Sequence, residues 1–265
     1  MKYLVFVLCC WCVSITQTCA QTPDSIYRSL EQLAWKPILA DTGQTDWQQH
    51  WSVDGDRATL KATPQGRLFC AGPIAYDNGS HAVMWTKQSF SGPIKVEYDY
   101  VRADDISRFV NIIYVQATGI GEPPYTKDIS EWDSLRTIPT MSKYFTYMNA
   151  YHISFAAFDM DNEDPDNDYV RARRYPVAPD GNFTEDTALK PDYTQTGLFK
   201  PGVRYHITII KNNNHLTMHV EGDEKSSLFY WDTSAFPPVE AGWVGFRHMY
   251  TRCAKYDNVR IYGLP

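Results

Sequence analysis

Alternation of apolar and polar positions dominates the chain. From Pro93 to Val101, Ile94, Val96, Tyr98 and Tyr100 share one parity, the pattern of a strand with one buried face. Similar runs predict strands at Ala58–Thr63, Arg67–Ala71, His81–Thr86, Phe109–Ala117, Tyr147–Phe158 and Tyr169–Pro176. Tyr205–Ile210 and Leu216–Glu221 flank the polar turn Asn212-Asn213-Asn214 and form a hairpin candidate. Leu228–Trp231, Gly242–Met249 and Tyr256–Tyr262 complete the set. Ser29–Ala40 reads as either a short helix or an irregular entry segment. Thr118–Ser142 has no periodicity and carries Gly119, Gly121, Pro123, Pro124 and Pro139, so it reads as a long loop of the kind that often serves function. Many short strands without long helices between them predict an all-β, two-sheet antiparallel sandwich.

Parity also sorts side chains by face. In the run from Tyr147, Tyr151, Ile153, Phe155 and Ala157 read as core, which turns Met148, Ala150, His152, Ser154 and Ala156 the other way. In the next run Tyr169, Arg171, Arg173 and Tyr175 share a face, while Val170, Ala172 and Arg174 take the opposite one. Tyr114 and Gln116 fall together opposite Ile113 and Val115. Val244 and Phe246 read as core, which puts Arg247 on the other face, with Gly245 leaving space beside it. Taken singly, each of these polar residues is a solvated or cross-strand-paired side chain. The gathering of His152, Arg171, Arg173 and Arg247 on noncore parities in separate strands makes a candidate site: His152, Tyr114 and Arg173 for chemistry, and Arg171, Arg247, Gln116, Tyr169 and Tyr175 for binding, with Asn149 added as a nearby amide donor. A slip of one residue would invert any of these assignments.

The start of the chain changes the compartment expected. Lys2, the apolar run Tyr3–Val13 and Thr18-Cys19-Ala20 predict a signal peptide over 1–20, cut before Gln21, and a periplasmic or secreted product. The remaining 245 residues of 265 suit one all-β domain. Of 25 Lys and Arg, one is Lys2, so 24 face 31 Asp and Glu, a net charge of −7. That balance argues against nucleic acid as a partner. A local cationic pocket for an anionic ligand remains compatible with it. No later run predicts membrane insertion, and nothing in the sequence sets an oligomeric state.

Cysteine and carboxylate patterns narrow the chemistry further. Cys70 and Cys253 remain after cleavage, either as a disulfide or as two buried thiols. The acidic stretch Asp159, Asp161, Glu163, Asp164, Asp166 and Asp168 lacks the ligand order and glycine of a calcium loop, so it reads as a solvated turn. No metal or other cofactor is expected. The sequence contains no G-x-S-x-G, phosphate-loop or H-E-x-x-H motif. Glu97, Glu122 and Glu131 are isolated carboxylates rather than a recognisable glycosidase pair.

The run YFTYMNAYHISFAAF followed by DYVRARRYP resembles the YesU-like family of bacterial proteins, and GWVGFRHMYTRCAKYDNVRIYG resembles the closing strands of concanavalin A-like lectins and glucanases. The resemblance implies a single concanavalin A-like jelly roll over 21–265 and a setting in the breakdown of uronate-rich, rhamnose-containing polysaccharides such as rhamnogalacturonan or ulvan. It brings no catalytic motif that can be carried over to particular residues.

The expected activity is therefore a carbon–oxygen lyase acting by β-elimination on a uronate oligosaccharide. Histidine or tyrosine would remove the C5 proton and return one to the leaving oxygen. Arginine or amide donors would stabilise the charge developing on the carboxylate. A sugar leaving group makes a lyase and water makes a dehydratase, and both give a 4,5-unsaturated uronate. The alternatives are a glycoside hydrolase of the same glycans and a noncatalytic glycan-binding module.

Overall fold

The computed structural model describes residues 21–265; the signal peptide expected over 1–20 lies outside the described residues. The chain enters through helix α1 (Pro23–Glu31), which Thr22 caps by accepting a hydrogen bond from the Ser25 amide. Its apolar stripe, Ile26, Tyr27 and Leu30, packs on Ile210 of the first sheet. The helix thus precedes the position expected for it, and Lys36–Asp41, the end of that segment, is a strand instead.

Sixteen strands follow: β1 Lys36–Asp41, β2 Trp51–Asp54, β3 Thr59–Thr63, β4 Gly66–Cys70, β5 Ala82–Thr86, β6 Phe90–Ser91, β7 Ile94–Arg102, β8 Asn111–Gly119, β9 Met148–Ala157, β10 Tyr169–Tyr175, β11 Ala188–Thr194, β12 Arg204–Asn212, β13 His215–Gly222, β14 Ser226–Asp232, β15 Ala241–His248 and β16 Cys253–Gly263. Every strand predicted by alternation is present within a few residues. β1, β2, β6 and β11 were missed, because each is short or lacks a clean alternation. The strands form two antiparallel eight-stranded sheets. One runs β14-β13-β12-β7-β16-β4-β3, with β1 also on β16; the other runs β11-β10-β9-β8-β15-β5-β2, with β6 on β15.

The main core lies between the sheets. Val96, Tyr98, Tyr100, Ile207, Ile209 and Ile261 face Ile113, Val115, Tyr151, Ile153, Phe155, Val244 and Phe246. The disulfide Cys70–Cys253 joins directly opposed positions of β4 and β16 across a sequence separation of 183. In a chain-entropy account, closing so long a loop in the unfolded chain stabilises the fold by roughly 5 kcal/mol.

A second apolar layer covers the outer face of the second sheet. The segment between β8 and β9, expected to be a loop, forms a 3-10 turn at Ile129–Leu135 and helix α2 (Met141–Tyr147). It lays Ile129, Trp132 and Tyr144 onto Val83, Trp85, Tyr114 and Ala150. Trp132 and Tyr144 are fully buried there, each contributing on the order of 2–3 kcal/mol. Far from bordering an open cleft, this lid seals much of the face. Among the described residues no helix is long and apolar enough to cross a membrane.

Candidate functional site

Strand register builds the outer face of the second sheet in rows. Arg173 of β10 lies opposite His152 of β9, which lies opposite Tyr114 of β8. Tyr114 lies opposite Gly245 of β15, and Gly245 opposite Trp85 of β5. A neighbouring row runs Arg171, Ser154, Ile112, Arg247, Val83, Asp54. Alternation alone carries these side chains to one face, with Tyr151, Ile153 and Phe155 turned inward.

The rows end in an open pocket of about 210 Å³ over β8–β10. His152, Ser154, Tyr169, Arg171 and Arg173 line it, together with Phe109, Val110, Ile112, Met141, Phe158, Asp159, Met160, Phe183 and Met249. Arg173 uses only Nη1 for hydrogen bonds, donating to the carbonyls of Phe183 (3.1 Å) and Thr184 (2.9 Å) and to Thr187 Oγ1 (3.2 Å). Its Nε and Nη2 make no hydrogen bond among the described residues, and neither is sealed from solvent. Burial pulls its pKa below the usual arginine value, opposed by Tyr175, and the guanidinium lies 4.5 Å over the Phe183 ring. Helix α3 (Phe183–Asp186), capped by Asn182, supplies the two carbonyls that fix this arginine.

Arg171 differs in being charge-balanced. Its Nε lies 3.2 Å from Asp192 and its Nη1 3.9 Å from Asp159, and its guanidinium stacks 3.9 Å over Tyr169. His152 pairs through Nδ1 with the Tyr175 hydroxyl, while Nε2 is buried without a partner. Burial, with Arg173 and Arg247 nearby, holds the imidazole well below the usual histidine pKa, so it is neutral at physiological pH. Tyr175 lies beneath it, fully buried, and burial pushes its phenol well above the usual value.

Several predicted members fall elsewhere. Tyr114 is on the expected face but fully buried, stacked on Trp85 (5.3 Å, 14°) and Tyr144 (5.9 Å, 10°), and does not line the pocket. Burial raises its pKa to about 12, opposed by Arg247, which suits neither a base nor an acid near neutrality. Arg247 also holds the expected face but is fully buried: Nη2 pairs with His81 Nδ1 (2.8 Å) and the Pro139 carbonyl (2.6 Å), and the guanidinium lies 4.5 Å over Tyr144. The space beside Gly245 is filled by Trp85, since a Cβ there would sit 2.4 Å from its ring.

Gln116 leaves the face altogether. A bulge with Gln116 at φ 55° puts Ala117 in its place and turns the amide to the carbonyls of Phe90 and Gly92, both at 3.0 Å. A second bulge, at Ala156 (φ 44°), exchanges two residues: Ala156 lies in the core rather than on the outer face, and Ala157 on the outer face rather than in the core. Asn149 borders a different cleft, with Lys127, Pro176 and Pro238. There its Oδ1 accepts from Arg174 Nη2 at 2.5 Å. Asp168 departs from the solvated-turn reading: it is buried and accepts from Thr196 Oγ1 and the Gly197 amide.

Sequence reasoning missed the apolar walls and Ser154 as a lining residue. Ser154 shares the parity of His152, which was signal enough to include it; Phe183 and Met249 come from other segments and carried none. Among the described residues no group of three or more His, Cys, Asp or Glu is arranged to hold a metal ion.

No family model matches the chain, and no curated protein matches it. Solved structures do. A Bacillus subtilis protein of unknown function with a galectin-like fold aligns at a TM-score of 0.61 and 17% identity, over 87% of this chain and 100% of that one. The carbohydrate recognition domain of Emp46p aligns at 0.54 and 12%, over 87% and 98%. A legume lectin-like domain from Entamoeba histolytica aligns at 0.53 and 8%, over 87% and 98%. These likenesses show the fold: an all-β, galectin- and legume-lectin-like sandwich of the concanavalin A type.

Proposed function

We propose that the protein binds glycans and that the pocket over β8–β10 takes one acidic sugar residue. The observation that carries this reading is Arg173, anchored through Nη1 with Nε and Nη2 left for a carboxylate. The pocket volume of about 210 Å³ falls below that of drug-sized sites, which suits a single ring rather than a length of polymer. Tyr169 and Phe183 offer flat apolar walls. Carbohydrate recognition by structurally similar domains, as their names state for Emp46p, supports the same reading. The resemblance to the YesU-like family, with its uronate-rich setting, supports the acidic choice, and the Cys70–Cys253 disulfide supports export to an oxidising compartment. Titration calorimetry with glucuronate and glucose tests it. Glucuronate should bind and glucose should not, and Arg173→Gln should weaken glucuronate at least about tenfold. Equal affinity of the parent for both sugars would sink the proposal.

A second reading, β-elimination, is favoured by one specific observation. His152 is held neutral, its Nε2 has no partner, and it lies cross-strand from Arg173. A base beside a carboxylate clamp is what the reaction needs. Tyr114 is dropped from this mechanism because it does not line the pocket and burial raises its pKa to about 12, whereas His152 lines the pocket. Incubation with ulvan or pectin oligosaccharides separates the two readings. Ultraviolet absorbance of a new 4,5-double bond, lost in His152→Ala, means a lyase or dehydratase, and its absence leaves binding alone. A hydrolase finds no support in this pocket, where Asp159 is the sole carboxylate among the lining residues.

A further inference from the structure

Tyr76 touches two residues of the pocket wall, Phe109 and Met160, without lining the pocket itself. It is a bulky residue at φ 63°, in the left-handed region that side chains of its kind rarely adopt. Despite that, it is 52% exposed, so burial of its ring does not explain the conformation. The ring is nevertheless fixed. It meets Phe109 edge-on (5.4 Å, 81°) and Tyr250 at a tilt (6.0 Å, 41°), and its hydroxyl donates to the Met160 carbonyl at 3.3 Å. Phe109 and Met160 both line the pocket, so the tyrosine is continuous with its wall. Phe109 is itself at φ 67°. A lone exposed aromatic needs no explanation. An aromatic held in an unfavourable backbone conformation, braced by two further rings and joined to a pocket that holds two guanidinium groups, does, because such strain gathers at ligand-binding positions.

We infer that Tyr76 is the stacking platform for a second sugar residue, so that the ligand is an oligosaccharide whose acidic residue fills the pocket and whose neighbour lies against the Tyr76 ring. The inference rests on the proposed acidic-sugar pocket and adds a subsite to it. Pyranose rings present an apolar C–H face, which a rigid aromatic ring covers at little entropic cost. Specificity for an anion would then come from Arg173, and preference for chain length from Tyr76.

Titration calorimetry with galacturonic acid and its 1,4-linked trimer tests this on the parent protein, Tyr76→Ala, Tyr76→Phe and Arg173→Gln. The parent should bind the trimer about tenfold more tightly than the monomer. Tyr76→Ala should bring the trimer down to the monomer's affinity and leave the monomer unchanged; Tyr76→Phe should retain the parent's preference. If Arg173→Gln weakens the monomer but Tyr76→Ala matches the parent on both saccharides, the platform is overturned while the pocket stands. If the parent binds neither saccharide, the pocket and the platform fall together. A drop in monomer affinity in Tyr76→Ala equal to that for the trimer also overturns the platform, because the tyrosine would then only brace the pocket wall.

Discussion

At one end of the row Arg173–His152–Tyr114–Gly245–Trp85, a guanidinium and an imidazole line an open pocket. At the other end Trp85 and Tyr114, with Arg247 in the adjoining row, are sealed beneath the lid. Both ends carry arginine, histidine and aromatic side chains on the same face of the same sheet. The sealed end spends its polarity internally. Asp54 is fully buried and accepts from Trp85 Nε1 and the Tyr144 hydroxyl, both at 2.7 Å, and it lies 3.2 Å from Arg136 Nε. Arg247 anchors the lid at Pro139. The open end keeps Nε and Nη2 of Arg173 and Nε2 of His152 unspent. The difference shows that residue type and strand parity set which face a group occupies, whereas the covering segment sets whether that group holds the fold or meets a ligand.

The sharpest way to break the comparison is to remove the charge at the sealed end. Burial pushes the Asp54 carboxyl up, while Arg136 pulls it the other way, so the pair depends on its partners rather than on solvent. Asp54→Ala leaves Arg136 and Arg247 without the buried carboxylate that faces them. The expected cost is about 3–5 kcal/mol in urea denaturation. A loss below about 1 kcal/mol would mean that water reaches this end as well, and the distinction between the two ends would fail.

What the sequence disclosed follows the same division. Alternation in β7, β9 and β10 was regular enough to place Tyr98, Ile153, His152 and Arg173 on their correct faces. It failed where a single residue at positive φ broke the period, at Gln116 and Ala156. No composition rule marks those bulges. The lid was legible only as a nonperiodic stretch, although Trp132 and Tyr144 within it signal burial better than a solvated loop would. Covering is a long-range event: nothing local to Arg247 indicates that Pro139 and Tyr144 will close over it. The site was therefore half legible, its face readable from parity and its accessibility unreadable.

The buried histidines offer a smaller test. Burial first, then nearby arginines, lowers His81 to about 2 in the sealed half and holds His152 well below 6.5 in the open half. His248, behind them, is lowered to about 3, chiefly by burial. A depressed folded-state pKa means that the unfolded chain takes up protons first. The stability is therefore complete above about pH 6.5 and lost as pH falls toward the folded values. Replacing His152 by Gln should reduce the slope of unfolding free energy between roughly pH 6 and 5 by about 1.4 kcal/mol per pH unit. His81→Gln should do the same. A His152 reached freely by water would titrate near its ordinary value, and its replacement would leave the slope unchanged while His81→Gln still altered it.

The smallest effect belongs to Arg171, and its contrast with Arg173 sharpens the comparison within the open end. Arg171 is offset by Asp192 at 3.2 Å and Asp159 at 3.9 Å, with a quarter of its side chain in solvent, where such pairs contribute about 0–1 kcal/mol. Arg173 has no carboxylate partner among the described residues; carbonyl oxygens and a threonine hold it instead. Arg171→Gln should thus change stability by less than about 1 kcal/mol and glucuronate affinity by only about twofold, because Asp192 already takes up much of its charge. Arg173→Gln should cost more, on the order of 1.5–3 kcal/mol, because the shorter glutamine cannot reach the three oxygens that Nη1 meets, and it should also lose most of the anion affinity. Chemical denaturation and calorimetry on the two variants, run side by side, decide the matter. Equal losses of affinity would show that the anion spans both guanidinium groups, and that the carboxylates around Arg171 yield when the ligand arrives.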